Sequence, residues 1–249
     1  MARIKLYTRN ALEDGTVTVT GTPDTGYPEA RLYDRAISFY WKDTVTEAKT
    51  FHVDQGASGG EAVDALIIDK HNFNGEDMTW QYSTNDADWT NAVTPWTQGD
   101  NNQIVKTLST ALTKRYWRVT VTSMENPQCS EIFMSYGYEF MVDFVENPQA
   151  GDEPNVVWEQ SVGGLERSTK LGGARKIRTY ALFLENNNDD RITLTDFRAA
   201  LADLDEYAYP FYFKDHEGNY WLARILSLSR ESFISEGHVQ RTLEVIEIL

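Results

Sequence analysis

Cysteine is almost missing from this chain. Cys129 stands alone among 249 residues, so no internal disulfide can form and thiolate-rich zinc sites are excluded. No Asn-x-Ser/Thr sequon occurs either, and both absences fit synthesis in a reducing compartment rather than as a secreted animal-type module. Positive charge is also scarce: 23 Lys and Arg stand against 38 Asp and Glu, a formal net charge of -15. That balance opposes nucleic-acid binding, which needs clustered cations to displace counterions from phosphate. An acidic wall past which DNA slides is compatible with it; sequence-specific recognition is not. No apolar run approaches the roughly 20 residues that cross a bilayer, and Met1 to Asn10 form no cationic, apolar leader. The expectation is a soluble chain with no membrane insertion.

Catalytic spacings are missing too. Gly56 to Gly60 reads Gly-Ala-Ser-Gly-Gly, the pattern of a hydrolase nucleophile elbow, but Glu61 to Phe73 continues as an extended run where the elbow needs a helix. The four histidines, His52, His71, His216 and His238, are scattered with no metal-ligand spacing. Asp69 to Asp77 has acidic residues at its ends like a calcium loop, yet His71 and Phe73 stand where oxygen donors belong. Any pair of the abundant carboxylates could be named as acid and base, which gives such a pairing no discriminating power. The chain is therefore expected not to be an enzyme and to need no cofactor.

What is present is β-pattern. Hydrophobic residues make up 41% and aromatics 12% of the chain, enough for packed cores. Up to Phe144 apolar and polar residues alternate: in the segment 115–123, Trp117, Val119 and Val121 face opposite Tyr116, Arg118, Thr120 and Thr122. Gly, Asn, Asp and Ser punctuate these runs at 56–60, 72–77, 83–88 and 99–102, as in an antiparallel sandwich. The segment 146–155, with two prolines, a glycine and three acids, reads as a linker, which divides the chain into domains 1–145 and 146–249. Beyond it the order is strand, helix, strand, strand, strand, beginning with 176–185. Leu194, Phe197, Leu201 and Leu204 form one helical stripe behind a cap at Thr193, and Pro210 requires the helix to end by Tyr209. Asp215, Gly218 and Asn219 predict a turn, SEGH (235–238) another, and 239–249 a closing strand. The polar run 185–190 predicts a loop tip.

Three motifs of the first region carry a resemblance: the proline-led loop from Pro28 to Asp34, the Asp54-x-Gly56 end of a buried strand, and the turn Ser83-x-Asn85-x-x-x-Trp89. Together with 65–73, 115–123 and 130–140 they make Gly26 to Phe140 resemble the discoidin, or galactose-binding-like, jelly-roll β-sandwiches. The resemblance implies that Trp41 and Trp89 pack inward, that Asp34 or Asp43 holds a structural calcium, and that a host-surface glycan is a ligand. Tyr27 and Trp96, aromatic residues beside loops, are the candidate sugar-stacking positions.

The run from Phe183 to Leu249 is similar to the tail-tube-like and distal tail proteins of long-tailed bacteriophages, through Phe211 to Asp215, Trp221 to Leu226 and Leu243 to Leu249. This implies a β-rich α+β unit with one helix that assembles as a hexameric ring around the DNA channel. A virion component of the tail tip or baseplate is then expected, made in the bacterial cytoplasm, with tube, tape-measure and hub proteins as partners. One departure stands out: the sandwich precedes the tube-like unit, the reverse of the order in well-known distal tail proteins. The alternative expectation is a carbohydrate-binding module, or an accessory module of a glycan-active enzyme.

Overall fold

Alternation in the run 115–123 becomes the central strand of a sandwich. The computed structural model describes residues 3–57, 59–140, 148–160, 166–185, 194–205, 207–235 and 238–249. They divide into two compact units, Tyr7–Gly137 and Met1–Leu6 with Tyr138–Leu249.

In the Tyr7–Gly137 unit, a six-stranded sheet runs in the order Thr16–Val19, Glu47–Asp54, Tyr116–Met124, Asp77–Ser83, Thr90–Asn91, with Trp96–Thr97 also pairing to Asp77–Ser83. A three-stranded sheet, Glu131–Ser135, Ala62–Asp69, Ile104–Thr113, supplies the second layer. The strands of both sheets pair antiparallel among the described residues. Phe51, Val53, Met78, Trp80, Trp117, Val119 and Val121 from the larger sheet share one core with Val63, Leu66, Ile68, Ile132 and Met134 from the smaller. Its centre is the stacked pair Trp80 and Trp117, with ring centroids 5.4 Å apart. Such aromatic pairs add about 0.5–1.5 kcal/mol beyond the area they bury. Trp41 packs edge-on against Phe51 at 5.2 Å and is fully buried, as expected.

Polar groups are buried here at specific places. Lys49 and Asp43 are both fully buried, with Nζ 2.7 Å from Oδ2. Burial alone pushes the Asp43 carboxyl up, but the Lys49 hydrogen bond and charge and the Val45 amide outweigh it, leaving the group below its ordinary value. Gly21, at φ +99°, lies against the pair: a Cβ there would meet Asp43 Oδ2 at 2.3 Å. Only glycine combines that conformation with that close approach. Removing one partner of such a pair typically costs about 3–5 kcal/mol, since the other is left charged and dry.

In the second unit an eight-stranded sheet runs Gly137–Glu139, Lys5–Tyr7, Phe211–Lys214, Tyr220–Leu228, His238–Glu247, Arg175–Glu185, Gln149–Glu153, and Ser232–Ser235 pairs to His238–Glu247. The helix Leu194–Asp203 lays Leu194, Phe197 and Leu201 on a core with Tyr180, Phe213, Trp221 and Leu243, and Leu204 follows them into it. It ends six residues before Tyr209. The Asp215 turn is present as expected: its buried Oδ1 accepts the Glu217 and Asn219 amides at 3.0 and 2.9 Å, and Gly218 takes φ +92°.

Five sequence expectations need correction or lie out of view. The division at 145/146 gives way to one at 137/138, because the Lys5–Tyr7 strand joins the sheet formed by the later residues. The expected linker contains an edge strand, Gln149–Glu153, paired to Arg175–Glu185. Its side chains are all exposed, so no apolar alternation marks it; backbone pairing to Arg175–Glu185 holds it. An antiparallel pair, Val156–Gln160 with Glu166–Lys170, was not anticipated. The Thr193 cap, most of the 185–190 loop and the centre of the SEGH turn fall outside the described residues.

Glu131 gives the fold a pH signature. It is fully buried; its carboxylate accepts the Arg35 amide at 3.0 Å, whereas the Arg35 guanidinium turns to Glu13. Burial, followed by the charges of Asp34 and Glu13, raises its carboxyl well above the ordinary value. A raised folded-state value favours the neutral form. The stability it supplies is complete below the unfolded value, about 4.3, and is lost as pH rises through the folded one. Glu131→Gln is therefore expected to gain on the order of 1 kcal/mol or more over wild type at pH 8 and nothing at pH 4, read from denaturant midpoints. Parallel profiles for the two proteins would contradict the assignment.

Candidate functional site

Outward positions of the six-stranded sheet line up across it. Register sets Thr18 opposite His52, His52 opposite Arg118, Arg118 opposite Gln81, and Gln81 opposite Asn91. Five strands thus give one polar side chain each to a single row, and the alternating neighbours Phe51, Val53, Trp80, Trp117 and Val119 enter the core. The row is joined by hydrogen bonds. Thr18 Oγ1 lies 3.3 Å from His52 Nδ1, Arg118 Nε donates to Gln81 Oε1 at 2.7 Å, and Gln81 Nε2 donates to Asn91 Oδ1 at 2.8 Å.

A turn brings further groups over this row. Asn85 Oδ1 accepts the Ala87 and Asp88 amides at 3.0 and 2.9 Å, Ser83 Oγ accepts the Asn85 amide at 3.2 Å, and Asp86 takes the left-handed φ of 60°. Short polar side chains that bond their own backbone favour this geometry. The result places Asp86 Oδ1 3.0 Å from His52 Nε2 and lays the Trp89 ring under Arg118, whose Cζ is 4.0 Å from the ring centroid. His52 meets Trp89 edge-on at 5.7 Å and stacks with Tyr116 at 5.9 Å.

Thr18, His52, Asp86, Trp89 and Arg118, with Thr16, Thr20 and Thr50, line an open cleft of about 620 Å³. One flank is an ion pair: Arg115 Nε and a terminal nitrogen bond the two Asp54 oxygens at 2.7 and 2.8 Å. The Arg115 hydrogen bond holds the Asp54 carboxyl down to about 2. Burial lowers the Arg118 guanidinium, which stays cationic regardless. The cleft thus offers an aromatic ring, a guanidinium, the His52–Asp86 pair and several hydroxyls.

The anticipated residues fall in several places. Trp96 lines a second, smaller cleft of about 430 Å³ on the same sheet, with Thr79, Thr120 and Thr122; Lys106 Nζ sits 4.4 Å over its ring. Tyr27 belongs to another cluster, stacked on Tyr40 at 5.1 Å with Arg31 at 5.5 Å and Lys42 at 5.9 Å from its ring. The two residues do not share a cleft. Trp89, expected inside the core, is half-buried at the cleft instead, because the Ser83–Trp89 turn carries it across the outer face.

Of the two carboxylates considered for calcium, Asp43 is a poor fit: its oxygens are taken by Lys49 and the Val45 amide inside the fold. Asp34 is exposed and caps the Ala36 amide at 2.9 Å. Among the described residues no group of three or more His, Cys, Asp or Glu side chains is arranged to hold a metal ion. Cys129 is no metal ligand or nucleophile in waiting, since burial pushes its thiol well up. The residue after Gly60 and Glu61 starts the strand Ala62–Asp69, so the elbow-like pattern lacks its helix; Ser58 itself lies outside the described residues.

His52 and Arg118 were missed as site residues. Alternation marks each as outward, but only the order of strands from distant segments sets them side by side.

No protein-family model matches the chain, and no curated protein does. Solved structures do resemble it. A chitosan-binding module 1 from a chitosanase/glucanase of Paenibacillus sp. IK-5 is 20% identical over 51% of this chain and 99% of that one, with a TM-score of 0.43. The family 32 carbohydrate-binding module from Streptococcus pneumoniae EndoD is 16% identical over 51% of this chain and 98% of its own, with a TM-score of 0.41. A pectin-binding carbohydrate-binding module is 15% identical over 49% of this chain and 89% of that one, with a TM-score of 0.39. Each likeness thus extends over about half of the present chain and nearly all of the module compared.

Proposed function

We propose that the Tyr7–Gly137 sandwich is a carbohydrate-binding unit whose ligand lies in the cleft on the outer face of the six-stranded sheet. One observation carries this reading: the Thr18, His52 and Arg118 part of the cross-strand row meets the Trp89 ring in an open cleft with several hydroxyls and a guanidinium. Sugars present apolar ring faces fringed by hydroxyls, and sites that take them combine an aromatic surface with a few fixed polar groups. The cleft has both. Its openness to solvent suits a glycan chain that extends past the site, and the Trp96 cleft on the same sheet supplies a further contact. Binding of this kind requires no cofactor and no catalytic step from the chain.

A second reading concerns the other unit, and a specific observation favours it. The Val156–Gln160 and Glu166–Lys170 strands pair with each other and with no further strand among the described residues, and Trp158 on them is 69% exposed. Isolated two-stranded ribbons are marginal in water, and an exposed tryptophan on one is a natural assembly contact. On this reading the chain is a structural part of a bacteriophage tail tip or baseplate. Its second unit builds a six-membered ring around the DNA channel, in contact with tube, tape-measure and hub proteins, and the sandwich reads host-surface glycans. The two readings are compatible.

A glycan array tests the first. Wild type is expected to retain at least one glycan class, and Trp89→Ala to weaken that binding about tenfold, with smaller effects from Trp96→Ala and Tyr27→Ala. Retention of no glycan, or a Trp89→Ala protein that binds like wild type, would sink it. For the second, light scattering on the purified chain should give a hexamer that Trp158→Ser weakens; a monomer at every concentration would rule out a self-assembling ring.

A further inference from the structure

We propose that the outer-face cleft selects carboxylate-bearing sugars, hexuronate units of an acidic glycan, through the Arg118 guanidinium; this rests on the carbohydrate-binding reading above. Acids outnumber bases by 38 to 23 in the chain, so carboxylates to neutralise an arginine are plentiful. Among the described residues Arg118 nevertheless has none within ion-pair distance. Its one hydrogen bond runs from Nε to the neutral Gln81, leaving both terminal nitrogens unpartnered among the described residues. Of the two nearby acids, Asp54 is paired with Arg115, and Asp86 hydrogen-bonds His52 and acts on Arg118 only through its charge at a distance.

Arg118 is also held in place. Its guanidinium lies on the Trp89 ring at 4.0 Å, and Gln81 is fixed in turn by Asn91 at 2.8 Å. Stacking and a buttressed Nε remove rotamer freedom before any ligand arrives, which lowers the entropic cost of binding. A half-buried guanidinium without a counter-ion is costly to keep unless a ligand completes it. The planar fork of two terminal nitrogens matches a carboxylate through two parallel hydrogen bonds. The hydroxyls of Thr16, Thr20 and Thr50 stand in the same cleft, suited to the hydroxyls of the sugar that carries that carboxylate.

Isothermal titration of the full chain against four oligosaccharides tests this: oligogalacturonate, oligomannuronate, the methyl ester of the oligogalacturonate, and a sulfated galactan. Methyl esterification keeps the ring and removes only the charge. At least one of the two uronate oligomers is expected to bind, and oligogalacturonate to bind about tenfold or more tightly than its ester, the range of a charge-assisted hydrogen bond. Arg118→Gln should bring acid and ester to the same affinity, and Arg118→Lys should recover only part of the difference. The wild-type comparison of acid with ester does not depend on whether either variant folds. Equal binding of acid and ester to wild type would overturn the selectivity and leave carbohydrate binding standing. Preference for the sulfated galactan over both uronates would overturn the carboxylate assignment. Binding of none of the four, with a neutral glycan retained on the array, rejects this inference alone; an empty array as well rejects both.

Discussion

The antiparallel register of the central strand Tyr116–Met124 is the constraint on which the sandwich and its cleft both depend. It pairs with Glu47–Asp54 on one side and Asp77–Ser83 on the other, so it fixes which residues of three strands face inward. Trp117, Val119 and Val121 enter the core while Arg118 and Thr120 face out. A slip of one residue would bury Arg118 and expose Trp117, and the stack of Trp117 on Trp80 resists that slip directly. The same register sets His52 and Gln81 beside Arg118. Core and binding face are therefore two sides of one pairing.

Charge is distributed unevenly around this frame. Where the fold buries ions it pairs them, as with Lys49 and Asp43 packed against Gly21, and where it buries the Glu131 carboxyl the surroundings raise it toward the neutral form. On the rim of the cleft Arg115 and Asp54 cancel each other. Arg118 departs from this pattern, as a half-buried cation with a neutral hydrogen-bond partner. In an acidic chain that exception has functional meaning, because a local cation is what allows a surface of net negative charge to hold an anionic ligand.

Much of the sandwich was legible in the sequence, since period-two alternation and Gly/Asn/Asp turns report directly on half-buried strands. Trp117 and the helix stripe Leu194, Phe197, Leu201 were readable for the same reason, since their burial follows local periodicity, whereas Trp41 was placed inward only by the family resemblance. The Gln149–Glu153 strand was not, because an exposed edge strand is held by backbone bonds and bears no inward apolar residues. The cleft was only half legible. Trp89 lay in a recognised turn, but the direction in which that turn carries its ring depends on Arg118 and His52, which are 29 and 37 residues away in sequence. Tyr27 and Trp96 drew notice as loop aromatics, and the structure separates them into different clusters.

The central claim is that the outer face of the six-stranded sheet is the glycan-binding surface of this chain. Chemical-shift mapping by NMR during titration with a retained glycan tests it most directly, through the Trp89 indole, the Arg118 and Gln81 side chains, and the backbone amides of Thr18 and His52. Perturbations concentrated on that row, extending toward Trp96 as the glycan lengthens, are the predicted result. Perturbations confined to the Tyr27 and Tyr40 cluster, with the row unmoved, would contradict it.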